Sequence, residues 1–179
     1  MADTQQVESI LSEQGFTDFQ WISGGEVVTG RWVRMKCMFG CPTYGKSGSC
    51  PPHVPPLDEC REFFLEYHRI AVIRFTATVS DPEAGHVWCE QTNRSLVKLE
   101  GAVFLAGYPK AFALFVENCR LCGECPGTRE ECKDKISARP SPEALGVDLF
   151  STVRNSGYTI EVLPDFSKPM TRYAFLLVE

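Results

Sequence analysis

Apolar positions recur at helical spacing from the start of the chain. In residues 3–15, "DTQQVESILSEQG", Val7, Ile10 and Leu11 share one side, and Gly15 stands where a helix would stop. "EVVTGRWVRMKC" (26–37) reads as a strand or hairpin that delivers Cys37. Helical spacing returns in "PLDECREFFLEYH" (56–68), with Leu57, Cys60, Phe64 and Tyr67 on one face. "RIAVIRFTATV" (69–79) has the apolar, β-branched run of a buried strand.

Asp81-Pro82-Glu83 sets a cap, a first-turn proline and a first-turn acid in the order that opens a helix. That helix is predicted from about 82 to about 107, with a stripe at Cys89, Thr92, Leu96, Leu99 and Val103. "AFALFVE" (111–117) follows as a strand that ends on a cysteine-rich segment. Ser141-Pro142-Glu143 opens a further helix through Leu145, Leu149 and Val153, closed by Gly157. "YTIEVL" (158–163) and "RYAFLLVE" (172–179) complete the set as strands. This order predicts an α/β fold, with α+β as the alternative: one mixed sheet flanked by helices, with cysteine-rich metal-binding loops at 37–56 and 119–140. No linker divides the chain, so 1–179 is expected to be a single domain.

Composition narrows the chemistry. No apolar run reaches a membrane span, and "MADTQQVESI" is polar and acidic, unlike a signal peptide, so a cytoplasmic location is expected. Thiols there stay reduced, which turns nine cysteines into candidate metal ligands or catalytic groups. A net charge of −5 gives no basic footprint for nucleic acid. The charge is uneven, however. Residues 31–56 hold Arg31, Arg34, Lys36 and Lys46 with no acid, so this segment is +4 and the rest of the chain −9. Such a field suits an anionic centre or substrate.

"CRLCGECPGTREEC" spaces Cys119, Cys122, Cys125 and Cys132 as C-x2-C-x2-C-x6-C. Successive x2 intervals wrap backbone around one body, as at the opening of the bacterial ferredoxin pattern for [4Fe–4S] clusters. The fourth interval is six rather than three, and proline follows the third cysteine, so Cys132 either closes the same cluster or reaches another. Structural zinc is the alternative, though its knuckles come as separate C-x2-C pairs, whereas Cys122 here belongs to both. Redox-active thiols are a third.

"CMFGCPTYGKSGSCPPHVPP" (37–56) offers Cys37, Cys41 and Cys50 among five prolines and three glycines. Gly40, Gly45 and Gly48 permit chain reversal, and Pro42, Pro51 and Pro52 stiffen the segment. A fourth ligand could come from Cys60, Cys132, His53, more weakly Tyr44, or from outside the chain. Cys60 and Cys89 fall on apolar helix stripes, where a thiol packs as a small hydrophobe. Three thiolates without a fourth leave an open metal corner, the feature that separates reactive sites from closed ones.

These segments, with "ARPSPEALGVDLFSTV", resemble the family of predicted metal-binding proteins known as domain of unknown function 2284. The resemblance implies metal binding at Cys37, Cys41, Cys50, Cys119, Cys122, Cys125 and Cys132, and supplies no reaction. It also draws in Arg139, Ser141 and Asp148. On their own terms these read as a partner for cluster sulfur or carboxylate, a helix cap, and a solvated or salt-bridged position.

Three functions compete. One is an electron carrier with two [4Fe–4S] clusters serving a redox partner protein in cytoplasmic, anaerobic metabolism. Another is an enzyme or activator that binds a small anionic substrate at an open iron. The last is a zinc-stabilised interaction module. "GEVVTG" lacks phosphate-loop spacing, and His53, His68 and His86 show no ligand spacing.

Overall fold

The computed structural model describes residues 4–162 and 168–179. Five helices surround a four-stranded sheet, a mixed α/β fold: α1 (Thr4–Glu13), β1 (Phe19–Ile22), α2 (Arg31–Gly40), α3 (Leu57–Leu65), β2 (Ile70–Ala77), α4 (Pro82–Leu105), β3 (Phe112–Leu114), α5 (Leu149–Asn155) and β4 (Met170–Leu177). The sheet order is β1-β2-β4-β3. Every pairing is antiparallel, where the alternation of predicted helices and strands had suggested mixed directions. No described connection is a strand–helix–strand crossover between parallel neighbours.

The centre of the sheet is the eight-residue ladder from Ile70 opposite Leu177 to Ala77 opposite Met170. Both of its faces are covered, which is why β2 reads as an unbroken apolar run. Ala71, Ile73, Ala174 and Leu176 pack with Val7 and Leu11 of α1 and with Leu96, Leu99 and Val103 of α4. Ile70, Val72, Phe175 and Leu177 pack on the other side with Phe64 of α3 and Val153 of α5. Each fully buried Leu, Ile or Phe contributes about 1.5–3 kcal/mol, so these two layers dominate the stability.

α4 begins as the sequence indicates: the Asp81 carboxylate accepts from the Ala84 N–H at 2.9 Å, with Pro82 next. All five stripe residues of this helix are buried.

Three local expectations are corrected. Residues 26–37 form no hairpin. Val27 to Thr29 make only an isolated bridge, Thr29 to Val147, and α2 starts at Arg31. Its less exposed positions, Val33, Arg34 and Cys37, are spaced for a helix, while Trp32, Met35, Met38 and Phe39 lie outside. The helix predicted from Ser141 to Gly157 is split. A 3-10 turn at Glu143–Leu145 ends on Gly146 (φ 84°), and α5 starts afresh with Asp148 as its cap. At Gly146 an added Cβ would lie 2.4 Å from Leu57 Cδ1, so close packing and left-handed backbone together require glycine. Residues 158–162 form no strand; Tyr158 and Ile160 instead pack into the α3–α5 side of the core. Leu163, the last residue of that prediction, lies outside the described residues. β1 carries no alternating pattern of its own and forms because β2 offers it an edge.

Candidate metal centre

The first cysteine segment starts on a helix rather than in a loop. Cys37 lies in the last turn of α2, and Cys41 is its C-cap, the cap N–H reaching the Cys37 carbonyl. The chain then folds on itself through short turns. Gly45, at φ 70°, donates to the Pro51 carbonyl at 3.1 Å, Cys50 to Ser47 at 3.1 Å, and His53 to Cys50 at 2.9 Å. The result brings Cys37, Cys41 and Cys50 to the wall of one cavity of 270 Å³, with Tyr44, Glu117 and Glu143 on the same wall.

The second segment is pinned by α4. Asn93, fully buried, accepts from the Val116 N–H at 3.1 Å and donates to the Asn118 carbonyl at 3.5 Å. Arg94 donates to the Leu121 carbonyl at 2.8 Å. Glu100 accepts from the Ala113 N–H at 2.7 Å and forms a paired contact with Arg139 at 2.9 and 2.5 Å. Both ends of residues 113–139 are thereby fixed to one helix. Cys119, Cys122, Cys125 and Cys132 line a second cavity, so Cys132 stands with its own segment. Only 20 Å³ is free there, about one water's room.

The two cavities share a wall. Ser47, Gly48 and Ser49 line the second, and Cys50, the next residue, lines the first. The Ser49 hydroxyl lies within 3.2 Å of the Ser47 hydroxyl in this wall. Gly48 is packed so closely on the second segment that a Cβ would lie 2.4 Å from the Thr128 carbonyl oxygen.

Electrostatics follow from this crowding. Burial pushes the Cys50 thiol up to about 11, and the neighbouring Cys37, Cys41 and Cys119 add to the rise. Cys37 is raised by burial and by Cys41, against the pull of Arg34. Cys119 is raised by burial, offset by hydrogen bonds from the Leu121 and Arg139 N–H groups and from Ser49. Burial also raises the Glu143 carboxyl. Thiols that raise one another's pKa feel each other across the shared space, and a metal bound there would displace their protons. By donor chemistry both groups fit a thiolate-bound metal. The first cavity has room for a guest, with 270 Å³ free, whereas the second, with 20 Å³, requires its segment to sit further out. Among the described residues no group of three or more His, Cys, Asp or Glu converges tightly enough to hold a single metal ion.

The remaining candidates fall elsewhere. Cys60 and Cys89 are buried in the two halves of the core, one on each side of the sheet. Cys60 accepts from the Arg34 guanidinium at 3.4 Å and faces a separate 460 Å³ cavity, as does His53. Of the suggested fourth ligands, Tyr44 alone lines the three-cysteine cavity. Arg139 is held by Glu100, Ser141 Oγ accepts from the Ala144 N–H, and Asp148 caps α5 through Ser151. Glu117 and Asn93 are not among the site residues expected from the sequence. Glu117 takes the left-handed backbone (φ 63°) and is anchored by Arg172 at 2.6 Å, a strain of about 1 kcal/mol or more set beside the cavity.

The β-sheet core thus carries two cysteine-lined cavities side by side. The chain belongs to the family of predicted metal-binding proteins, domain of unknown function 2284, whose model matches residues 20–178. No curated protein and no solved structure matches it. Among the described residues no helix is long and apolar enough to cross a membrane.

Proposed function

We propose that the chain is an iron–sulfur protein with two [4Fe–4S] centres that carries electrons in cytoplasmic, anaerobic redox metabolism. Cys37, Cys41 and Cys50 hold one centre; Cys119, Cys122, Cys125 and Cys132 hold the other. The observation that carries this reading is the sorting of seven cysteines into two adjoining cavities, three on one and four on the other. Clusters are gripped at their corners, which suits thiols spread around a cavity wall. The shared Cys122 of the second group favours a cluster over zinc for the same reason.

Bound there, such centres supply one-electron chemistry, with potentials set by charge, hydrogen bonds to sulfur and exposure. The chain's own groups would tune them. Ser49 and two backbone N–H groups stabilise the Cys119 thiolate, Ser47 does so at Cys50, and the Arg34 charge favours ionised Cys37. The adjoining cavities suit electron exchange between centres.

A second reading is supported by the roomier cavity. Three cysteines and 270 Å³ leave space for a small anionic substrate or exogenous ligand at an open iron, making the protein an enzyme or activator.

Anaerobic purification with iron and sulfide analysis tests the cluster reading. Iron and sulfide in comparable amounts are expected, with about half the iron lost in Cys50→Ser and in Cys125→Ser, and none in Cys60→Ala or Cys89→Ala. Zinc without sulfide would replace this reading with the structural-module one. Spectra of the reduced protein with added small anions separate a carrier from an enzyme.

A further inference from the structure

α2 presents two unlike faces. Val33, Arg34 and Cys37 turn inward, and Arg34 is engaged by the Pro55 carbonyl and Cys60. On the outside Trp32, Met35, Met38 and Phe39 are 49%, 53%, 51% and 75% exposed. Trp32, Met35 and Phe39 follow i, i+3, i+7 spacing, so they form one continuous stripe. Exposed Arg31 and Lys36 flank it, with the Lys36 amine 5.4 Å from the Trp32 ring centre. Soluble proteins seldom leave so dense an apolar patch uncovered, and Met, aromatic and Arg side chains are the ones enriched at protein interfaces.

We infer that this face of α2 is a docking surface for an acidic protein of the electron-carrier class. The class of the occupant rests on the function proposed above; the surface does not. Charge selects the partner. Exposed Arg31 and Lys36 flank the stripe on a helix without acids, while the chain outside residues 31–56 is −9, so an acidic surface is drawn to this patch and turned away elsewhere. A second copy meeting through the same patch would set cation against cation. An anionic bilayer would repel most of the molecule, and a ten-residue helix gives it little to grip. The location fits the role: the helix that displays the stripe carries Cys37 on its inner face and is capped by Cys41, so a docked protein is separated from the three-cysteine cavity by the thickness of one helix.

The test measures binding of purified flavodoxin, and separately of an acidic ferredoxin, to the full-length protein as isolated anaerobically and after metal removal. At least one probe is expected to bind, more weakly as salt rises, and Phe39→Ser or Lys36→Glu should weaken it about tenfold or more. Leu105→Ser, at an 85% exposed position on α4, should leave binding unchanged. Neither Phe39 nor Lys36 lines the three-cysteine cavity, so metal content should match the wild type. Absence of binding to both probes, or equal binding by the α2 variants, overturns the inference. So does a dimer that Phe39→Ser dissociates, or Phe39-dependent binding to anionic phosphatidylserine vesicles. A wild-type protein free of metal would defeat the cluster reading, while binding by that same protein would still be read for the surface.

Discussion

Replacing Arg139 by Met removes the guanidinium that ties the end of the second cysteine segment to α4. The pair with Glu100 is largely enclosed, with side-chain exposures of 16% and 13% and contacts of 2.9 and 2.5 Å. Glu100 would then keep only the Ala113 N–H, and a half-satisfied carboxylate would remain inside. Breaking a buried pair from one side costs about 3–5 kcal/mol. Residual solvent access and the retained hydrogen bond argue for the lower end, about 3 kcal/mol. The alkyl chain of Met keeps some of the packing on Phe112, over which Arg139 lies at 5.1 Å. With a urea dependence of about 2 kcal/mol per molar, the unfolding midpoint should fall by about 1.5 M. The double variant Arg139→Met/Glu100→Gln removes the stranded charge and keeps an acceptor for Ala113. It should therefore be more stable than Arg139→Met alone. A loss below about 1 kcal/mol in the single variant, the range of an exposed pair, would refute the reasoning. So would a double variant less stable than the single.

Asp148→Ala removes the cap of α5 and should cost about 1 kcal/mol, read in the same urea experiment, with Asp148→Asn retaining most of it. Gly48→Ala forces a Cβ to 2.4 Å from the Thr128 carbonyl; it should cost about 1–3 kcal/mol and lower iron content at both sites together, and loss confined to one site would contradict the shared wall. In metal-free protein, stability should be full below pH 9 and fall as pH rises towards 11 and 12. The unfolded chain releases thiol protons near 9.0, whereas folded Cys50 and Cys89 hold theirs to about 11 and about 12. Denaturation curves between about pH 8 and about pH 10 check this, and a flat profile would contradict burial of those thiols.

Where one physical cause fixed an element, the sequence was readable. Asp81-Pro82 and the five-residue stripe of α4 leave little choice, and β2 and β4 are too apolar to be elsewhere than the sheet centre. Residues 26–37 read as a strand or hairpin because the large apolar residues of α2 face out, and only the spacing of Val33, Arg34 and Cys37 reports the helix. The later helix is split where Gly146 takes left-handed backbone, and α5 restarts at the Asp148 cap. The grouping of cysteines into three and four was legible in their spacing. The walls around them were not, since Glu117, Asn93 and Glu100 reach the site through tertiary contacts. Asn93 and Glu100 did leave a trace, as polar residues seven apart on a helix whose inward positions are mostly apolar.

The contact of Gly48 with Thr128 has a consequence for how the protein is filled. A pocket with one water's room can accept a larger guest only by pushing its rim outward, and that rim leans on the residue two places before Cys50. Whatever enters the tighter compartment thus repositions a donor of the roomier one. Filling one compartment should therefore alter the affinity of the other.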